Sequence, residues 1–479
     1  MSTDSSASSF EFPANRTAIV AVLIAGAFVT VLNQTLMLVA IPAISADFGA
    51  EPSLVQWVTT AFMLANGILI PVSAVLIDRY SDRVLFLTAL SIFVLGSVIG
   101  ALSTTFSLLL LARIIQGAAA GLIIPLTQTL MMSLFPPHRR GAAMGLVGLA
   151  IAFAPAIGPT LSGWIVEHLS WRWLFVLMLP ISGLVLLATA LVMTNVTPRR
   201  DRPIDALSVV LSTFGWGGLL YGFSVAGSHG WRSPDVLVAL IGGTLSLIWF
   251  MQRQRRLPQP LLDLAVFRSP VFALTTALCV LIFMLMIGVM TLIPIYVQNA
   301  LQLGALMSGL VLMPGAIING VMAPVAGRLF DRFGVGHLAP IGFSLVALVL
   351  FLLMQTGMNT SPVAIALCVM LLMFSVALVM LPLITAGINA LPHSLIAHAT
   401  AMNSTLRMVG ASVGTALLVT IMSVPLARPG ADMAHAAAIS EGVHLAFGAA
   451  WLLALLGVAG SFWLWRMVKQ PAMANTGVQ

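Results

Sequence analysis

Charge is scarce in this sequence: only 7% of its 479 residues are Asp, Glu, Lys or Arg. Soluble domains carry about 25%. A soluble globular fold is therefore excluded, and the 60% apolar content points to an integral membrane protein. Cysteine is nearly absent. Cys279 and Cys368 both fall in apolar runs, which argues against a disulfide framework and reads as packing. Acidic residues number only 14, and each falls in a tail, a loop or the end of an apolar run. No carboxylate is expected at mid-membrane, where an acid is the usual proton relay and the usual counter-charge for a cationic drug. Dications and quaternary ammonium compounds are thus disfavoured as ligands. The chain also lacks an H-E-x-x-H zinc motif and a P-loop, so no metal site, cofactor or ATP-driven step is indicated. The first ten residues are polar and the first apolar run is long enough to span, so no cleavable leader is expected.

What is present is a series of membrane-length apolar runs. A span needs about 20 apolar residues. Fourteen candidates run over 17–42, 54–77, 84–104, 107–134, 141–166, 173–195, 205–227, 235–252, 270–297, 306–327, 338–357, 361–386, 400–424 and 443–466. An even number puts both termini on one side. Of the 21 Lys and Arg, sixteen fall on the side of the termini, three on the other (Arg172, Arg232 and Arg428), and Arg113 and Arg407 fall inside spans. Basic residues concentrate in cytoplasmic loops, so cytoplasmic termini are expected. Because these residues are dispersed among short loops, the sequence pI near 10.6 is no nucleic-acid signal.

An internal repeat divides the chain. AVLIDRYSDR (74–83) follows span 2 and GRLFDRFGVG (327–336) follows span 10. Each places Asp-Arg just past a span end, where the carboxylate can meet a helix N-terminus or an arginine. Two parallel six-span bundles with a binding site at the midplane follow from such a duplication. The expected organisation is a tail (1–16), a first bundle (17–195), two inserted helices (196–252), a cytoplasmic linker (253–269), a second bundle (270–466) and a tail (467–479).

Several stretches carry chemistry. Residues 148–163, GLAIAFAPAIGPTLSG, put Gly158, Pro159 and Gly163 in one span. Glycines allow close helix approach in lipid, and proline removes a backbone donor. Asn33, Gln34, Thr35, Asn66, Thr127, Gln128, Asn319 and Asn403 add uncharged polarity within spans, as interhelical glue or as cavity wall. Arg113 needs polar neighbours in lipid; Asn33, Gln34 and Gln116 are the expected partners, and a gate, a substrate anchor and a carbonyl cap remain open as its role. Arg407 is either its counterpart in the second bundle or a snorkelling residue. Twenty-six Met and 24 Phe suit an adaptable binding surface, or simply packing. His398 and His444 sit at span borders and read as interface residues. GASVG (410–414) matches a nucleophile elbow, but within a span it reads as small-residue packing.

These stretches together resemble the fourteen-span drug:proton antiporter family of the major facilitator superfamily, nearest its lincomycin-resistance branch. LNQTLMLVAIP (32–42) is similar to LDxTxVNxALP, LARIIQGAAAG (111–121) to RxxQG, APAIGPTLSG (154–163) to GxxxGPxxGG, and LRMVGASVG (406–414) to an Arg-containing R-x-x-G-x-S-x-G stretch. The resemblance implies an all-α major facilitator fold. It also implies export of small amphipathic drugs in exchange for protons by alternating access, from the bacterial cytoplasmic (inner) membrane. Asn33, Gln34, Thr35, Arg113, Gln116 and Arg407 would form the substrate and proton pathway. Asp78, Arg79, Arg83, Gly158, Pro159, Gly163, Gly327, Asp331 and Arg332 would form the conformational gate. The chain departs from the pattern at Ala74, Ser81, Asp82 and Ala154, and most of all at Asn33-Gln34, where an acid is usual. That departure turns the expectation toward neutral, zwitterionic or anionic cargo, lincosamides among them. Transport of a metabolite or fatty acid, in either direction, is the rival reading; a membrane enzyme is argued against by the missing nucleophile and acids. Nothing in the sequence indicates a periplasmic adaptor or outer-membrane channel.

Overall fold

In lipid no water is available to the backbone, so each span must satisfy its own N–H and C=O groups, and apolar runs of this length become helices. The computed structural model describes residues 15–196, 205–425 and 435–474. Fourteen helices among them are long and apolar enough to cross a membrane. We number them α1 (Arg16–Phe48), α2 (Trp57–Arg79), α3 (Asp82–Ala101), α4 (Phe106–Leu134), α5 (Arg140–His168), α6 (Trp173–Val192), α7 (Ala206–His229), α8 (Pro234–Arg256), α9 (Pro270–Ile295), α10 (Ala305–Phe333), α11 (Val335–Met354), α12 (Pro362–Asn389), α13 (Ile396–Ser423) and α14 (His435–Ala474).

The boundaries follow local chemistry. Ser81, Thr105, Asp205, Ser269 and Ser361 each accept a backbone N–H from the first turn of the helix they precede. Proline opens α8, α9 and α12, where a missing N–H costs nothing. Gly49 ends α1 with φ +58°, a conformation that glycine tolerates best.

Packing repeats between α1–α6 and α9–α14. In the first set α2 packs on α4, α1 on α4, α5 and α6, and α3 on α4 and α6. The second set reproduces each pair: α10 on α12, α9 on α12, α13 and α14, and α11 on α12 and α14. Between the sets, α2 meets α13 and α5 meets α10, again as equivalent pairs. Helices α7 and α8 pack against each other, and α7 rests on both α2 and α13. They are thus fastened to the seam between bundles.

Candidate functional site: a central cavity and its gates

Between the two bundles lies a cavity of about 580 Å³, within the usual range for small-molecule sites. Soft apolar side chains dominate its wall: Met63, Met144, Met286, Met380, Met408 and Phe283. The polar contribution comes from Gln34, Asn66 and Gln128 on the first bundle and from Asn319, Ser404 and Arg407 on the second. No Asp or Glu lines it, among the described residues.

Adjacent residues on a helix point about 100° apart, and α1 uses this. Gln34 faces the cavity. Asn33 turns into the first bundle and is fully buried. There its Oδ1 accepts from Arg113 Nη1. Arg113 also donates through Nη1 to Gln116 Oε1 (2.7 Å) and through Nε to the Val58 carbonyl (3.0 Å), while its guanidinium lies 4.4 Å from the Phe62 ring centre. Gln116 in turn donates to Ser97 Oγ (2.9 Å). This network ties α1, α2, α3 and α4 together behind the cavity wall, with Asn33 Nδ2 and Arg113 Nη2 buried and unpartnered within it. Thr35 donates to the Leu32 carbonyl (2.9 Å) and faces α5, 3.4 Å from the Ala154 carbonyl. Of the six residues expected on the pathway, Gln34 and Arg407 line the cavity, while Asn33, Arg113 and Gln116 stand together behind it and Thr35 packs on α5.

Arg407 sits differently from Arg113. It is 9% exposed and lines the cavity. Its Nη2 donates to Ser404 Oγ at 3.3 Å, its guanidinium lies 5.5 Å from the Phe283 ring centre, and Nε is buried without a partner.

The two Asp-Arg repeats lie at the end of the molecule where α1 begins and α14 ends, and both cross the seam. Asp331, at the end of α10, accepts from the backbone N–H groups of Gly141 (3.0 Å, Oδ1) and Ala142 (2.9 Å, Oδ2) at the start of α5, a favourable place for an anion. Approach there is close: a Cβ on Gly327 would fall 2.2 Å from the Gly141 carbonyl oxygen. Beside it Arg140 donates to Asn389 Oδ1 of α12 (2.9 Å). Asp78, at the end of α2, lies 3.3 Å from Nε2 of His398 on α13. His398 is fully buried, and its Nδ1 accepts from the Asp263 backbone N–H (3.3 Å) in the linker. The hydrogen-bond network therefore puts the His398 proton on Nε2, facing Asp78. The sequence marked His398 as an interface residue; only the fold brings it to Asp78, and no spacing signal links the two.

The remaining gate residues divide. Arg83 donates through Nη2 to the Ala190 carbonyl (2.6 Å) and so joins α3 to the end of α6, within the first bundle. The Arg79 and Arg332 guanidinium groups lie 5.8 Å and 5.2 Å from the ring centres of Tyr80 and Phe333. A Cβ on Gly158 would fall 2.3 Å from Thr35 Oγ1, so this glycine permits the α1–α5 contact. Gly163 has open space instead, with nothing within 4 Å of such a Cβ. Pro159 lies on α5 with its side chain outside the described residues. Asp82, where a basic residue is usual, is buried and accepts from the Val196 N–H (2.7 Å).

Comparison with known proteins agrees with this architecture. Residues 23–415 match the Major Facilitator Superfamily. The chain is 50% identical over 460 residues to the uncharacterized MFS-type transporter YcnB of Bacillus subtilis, covering 96% of this chain and 97% of that one. It is 39% identical to the lincomycin resistance protein LmrB of Bacillus subtilis (94% and 95% covered). It is 30% identical to the multidrug export protein EmrB of Haemophilus influenzae (81% and 77% covered). Among solved structures, the human organic anion transporter MFSD10 superposes with a TM-score of 0.69 at 15% identity, covering 95% of this chain and 100% of that one. The proton:xylose symporter XylE superposes at 0.64 and 14%, covering 95% and 96%. At such identities the likeness is one of fold.

Proposed function

This chain belongs to the major facilitator superfamily, and from that premise we propose that it exports amphipathic drugs of neutral, zwitterionic or anionic character in exchange for protons. The observation that carries this reading is the central cavity, apolar and methionine-rich, with amides and one arginine but no acid on its wall. Methionine-rich surfaces adapt to many shapes, and a promiscuous exporter needs that. The relatives named for lincomycin resistance and multidrug export support the same class of cargo.

The packing supports alternating access. Two equivalent bundles meet along α2–α13 and α5–α10, and rocking them about the cavity opens one side while closing the other. With the termini in the cytoplasm of a bacterial inner membrane, as the distribution of basic residues favours, Asp331 on α5 and Asp78 beside His398 form the cytoplasmic gate. Proton exchange is assigned to the Asp78–His398 pair. What supports the assignment is position: the pair joins α2 to α13 across the seam at the cytoplasmic gate. Arg113 is assigned a supporting role: it fixes α1 so that Gln34 faces the cavity.

A susceptibility panel tests the reading. Cells with and without the protein are compared on lincosamides, fatty acids, dyes and quaternary ammonium compounds. Raised tolerance to neutral, zwitterionic or anionic amphiphiles, with little change for quaternary ammonium, is expected. Protection confined to quaternary ammonium compounds would refute the cargo class.

A further inference from the structure

Resting on the exporter reading, we propose that Arg407 is the anion subsite of the central cavity and that the preferred cargo is an amphipathic monoanion, a carboxylate on an apolar body.

A guanidinium carries five N–H donors in a planar fork. Arg113 meets three acceptors through Nη1 and Nε, an asparagine, a glutamine and a carbonyl, and leaves only Nη2 buried without a partner, away from the cavity wall. Arg253, near the end of α8, is held by both oxygens of Asp205. Arg407 donates only to Ser404 Oγ, at 3.3 Å from its own helix, among the described residues. Its Nε is buried without an acceptor, and no carboxylate shares its cavity. A 9%-exposed arginine at membrane depth is costly without an acceptor. Arg407 lines a cavity sized for a small molecule, where a carboxylate would supply the acceptors its guanidinium lacks.

The opposite wall completes the description. Asn66 on α2 also lines the cavity and is 4% exposed; its Nδ2 is the group that can donate to an anion, its Oδ1 being an acceptor. It lies across the seam from Arg407. Gly67, next to Asn66, approaches Met408, next to Arg407: a Cβ there would fall 3.6 Å from Met408 Cγ. A head group held at Arg407 is therefore within one seam of amide groups on the other bundle. The apolar body has Met63, Met286, Met380 and Phe283 to rest on.

The charge count sets the class. One cation with no neighbouring acid repels a cationic cargo. A monoanion neutralises it, and a dianion would carry an excess charge into a low-dielectric site. The same count explains why the missing acid at Asn33-Gln34 matters: a carboxylate at position 34 would share the cavity with Arg407 and compete for it.

The test uses the purified full-length protein in lipid vesicles. The probes are dansylaminoundecanoic acid, its primary amide, and the matching quaternary ammonium. Binding is read by dansyl fluorescence, and flux by an imposed pH gradient. Wild-type protein is expected to bind the carboxylate about tenfold more tightly than the amide, the factor that about 1.4 kcal/mol represents. Arg407→Gln should bring the two to parity by weakening carboxylate binding about tenfold. Gln34→Glu, whose folding does not depend on Arg407, should also abolish the carboxylate preference and admit the ammonium probe. No preference in wild-type protein, or a preference that survives both substitutions, would overturn the subsite. Gradient-driven flux without charge preference would leave the exporter reading intact and remove the subsite. Carboxylate preference in binding without gradient-driven flux would do the reverse.

Discussion

Two arginines within spans have opposite fates, and the difference lies in their neighbours. Arg113 meets Asn33, Gln116 and the Val58 carbonyl and is fully buried; Arg407 opens on the cavity. Truncating Arg113 leaves Asn33 Oδ1 and Gln116 Oε1 buried without its donors, at a cost of about 1–3 kcal/mol for each group orphaned. Arg113→Ala is therefore expected to insert but to lose resistance and thermal stability. Arg113→Lys should fail in the same direction, because a point charge cannot bridge three acceptors in one plane. Melting of the purified variants and resistance at matched expression check both. Wild-type values for Arg113→Lys would reduce the network to a generic counter-charge. The sequence identified Asn33 and Gln116 as partners, since an arginine in lipid must be met by polar groups. It placed Gln34 among them too. One residue of helical rotation separates Asn33 from Gln34, and the side that each faces depends on how α1 is docked, which residue types do not encode.

Among the helices, the spans were the most legible feature, because an apolar run of about 20 residues has few alternatives. The repeated Asp-Arg also announced two bundles. What each aspartate touches was not legible. Asp331 caps α5 and Asp78 meets His398 because the bundles meet along particular helix pairs, and such long-range pairings leave no local periodicity. The same holds for glycines. Gly158 and Gly163 look alike in the motif, but only Gly158 has α1 against it. Gly158→Ala is expected to cost about 1–3 kcal/mol by overpacking and to lower resistance, whereas Gly163→Ala should be neutral in both. Equal effects would contradict the assigned α1–α5 contact. The α7–α8 pair permits a pH argument. Asp205 is bonded by Arg253 Nε (2.7 Å) and Nη2 (2.9 Å) and caps α7 through the Ser208 N–H (3.1 Å). The Arg253 hydrogen bonds above all, aided by Ser208, hold its carboxyl well below the usual carboxylate range. A depressed pKa contributes stability that is complete above the unfolded value and is lost as pH falls through the folded one. Between pH 8 and pH 5 the contribution is thus constant. Asp205→Asn keeps a capping oxygen but loses the charge paired with Arg253, and should lower stability by about 0.2–1 kcal/mol, by the same amount at both pH values. A loss that grows between pH 8 and pH 5 would contradict it.

At the scale of the whole molecule, the equivalent packing of α1–α6 and α9–α14 fits the proposed rocking about the cavity, and in that proposal orientation decides which way the cargo moves. Gln259, exposed in the linker, lies on the side of the termini, and Ser233 lies beyond α7 on the other side. In a Cys279→Ser, Cys368→Ser background, Ser233→Cys should react with an impermeant maleimide on intact cells, and Gln259→Cys should react only after the membrane is opened. The reverse pattern would invert the topology. The central claim, drug export driven by protons, is tested most directly by flux in vesicles that contain the purified protein in known orientation. A lincosamide or an amphipathic carboxylate is placed at equal concentration on both sides, and the face opposite the termini is made acidic. The account predicts net movement of the compound toward the acidic side, against the gradient it builds, and collapse of that gradient when a protonophore is added. Movement away from the acidic side, or a distribution indifferent to the pH difference, would contradict it.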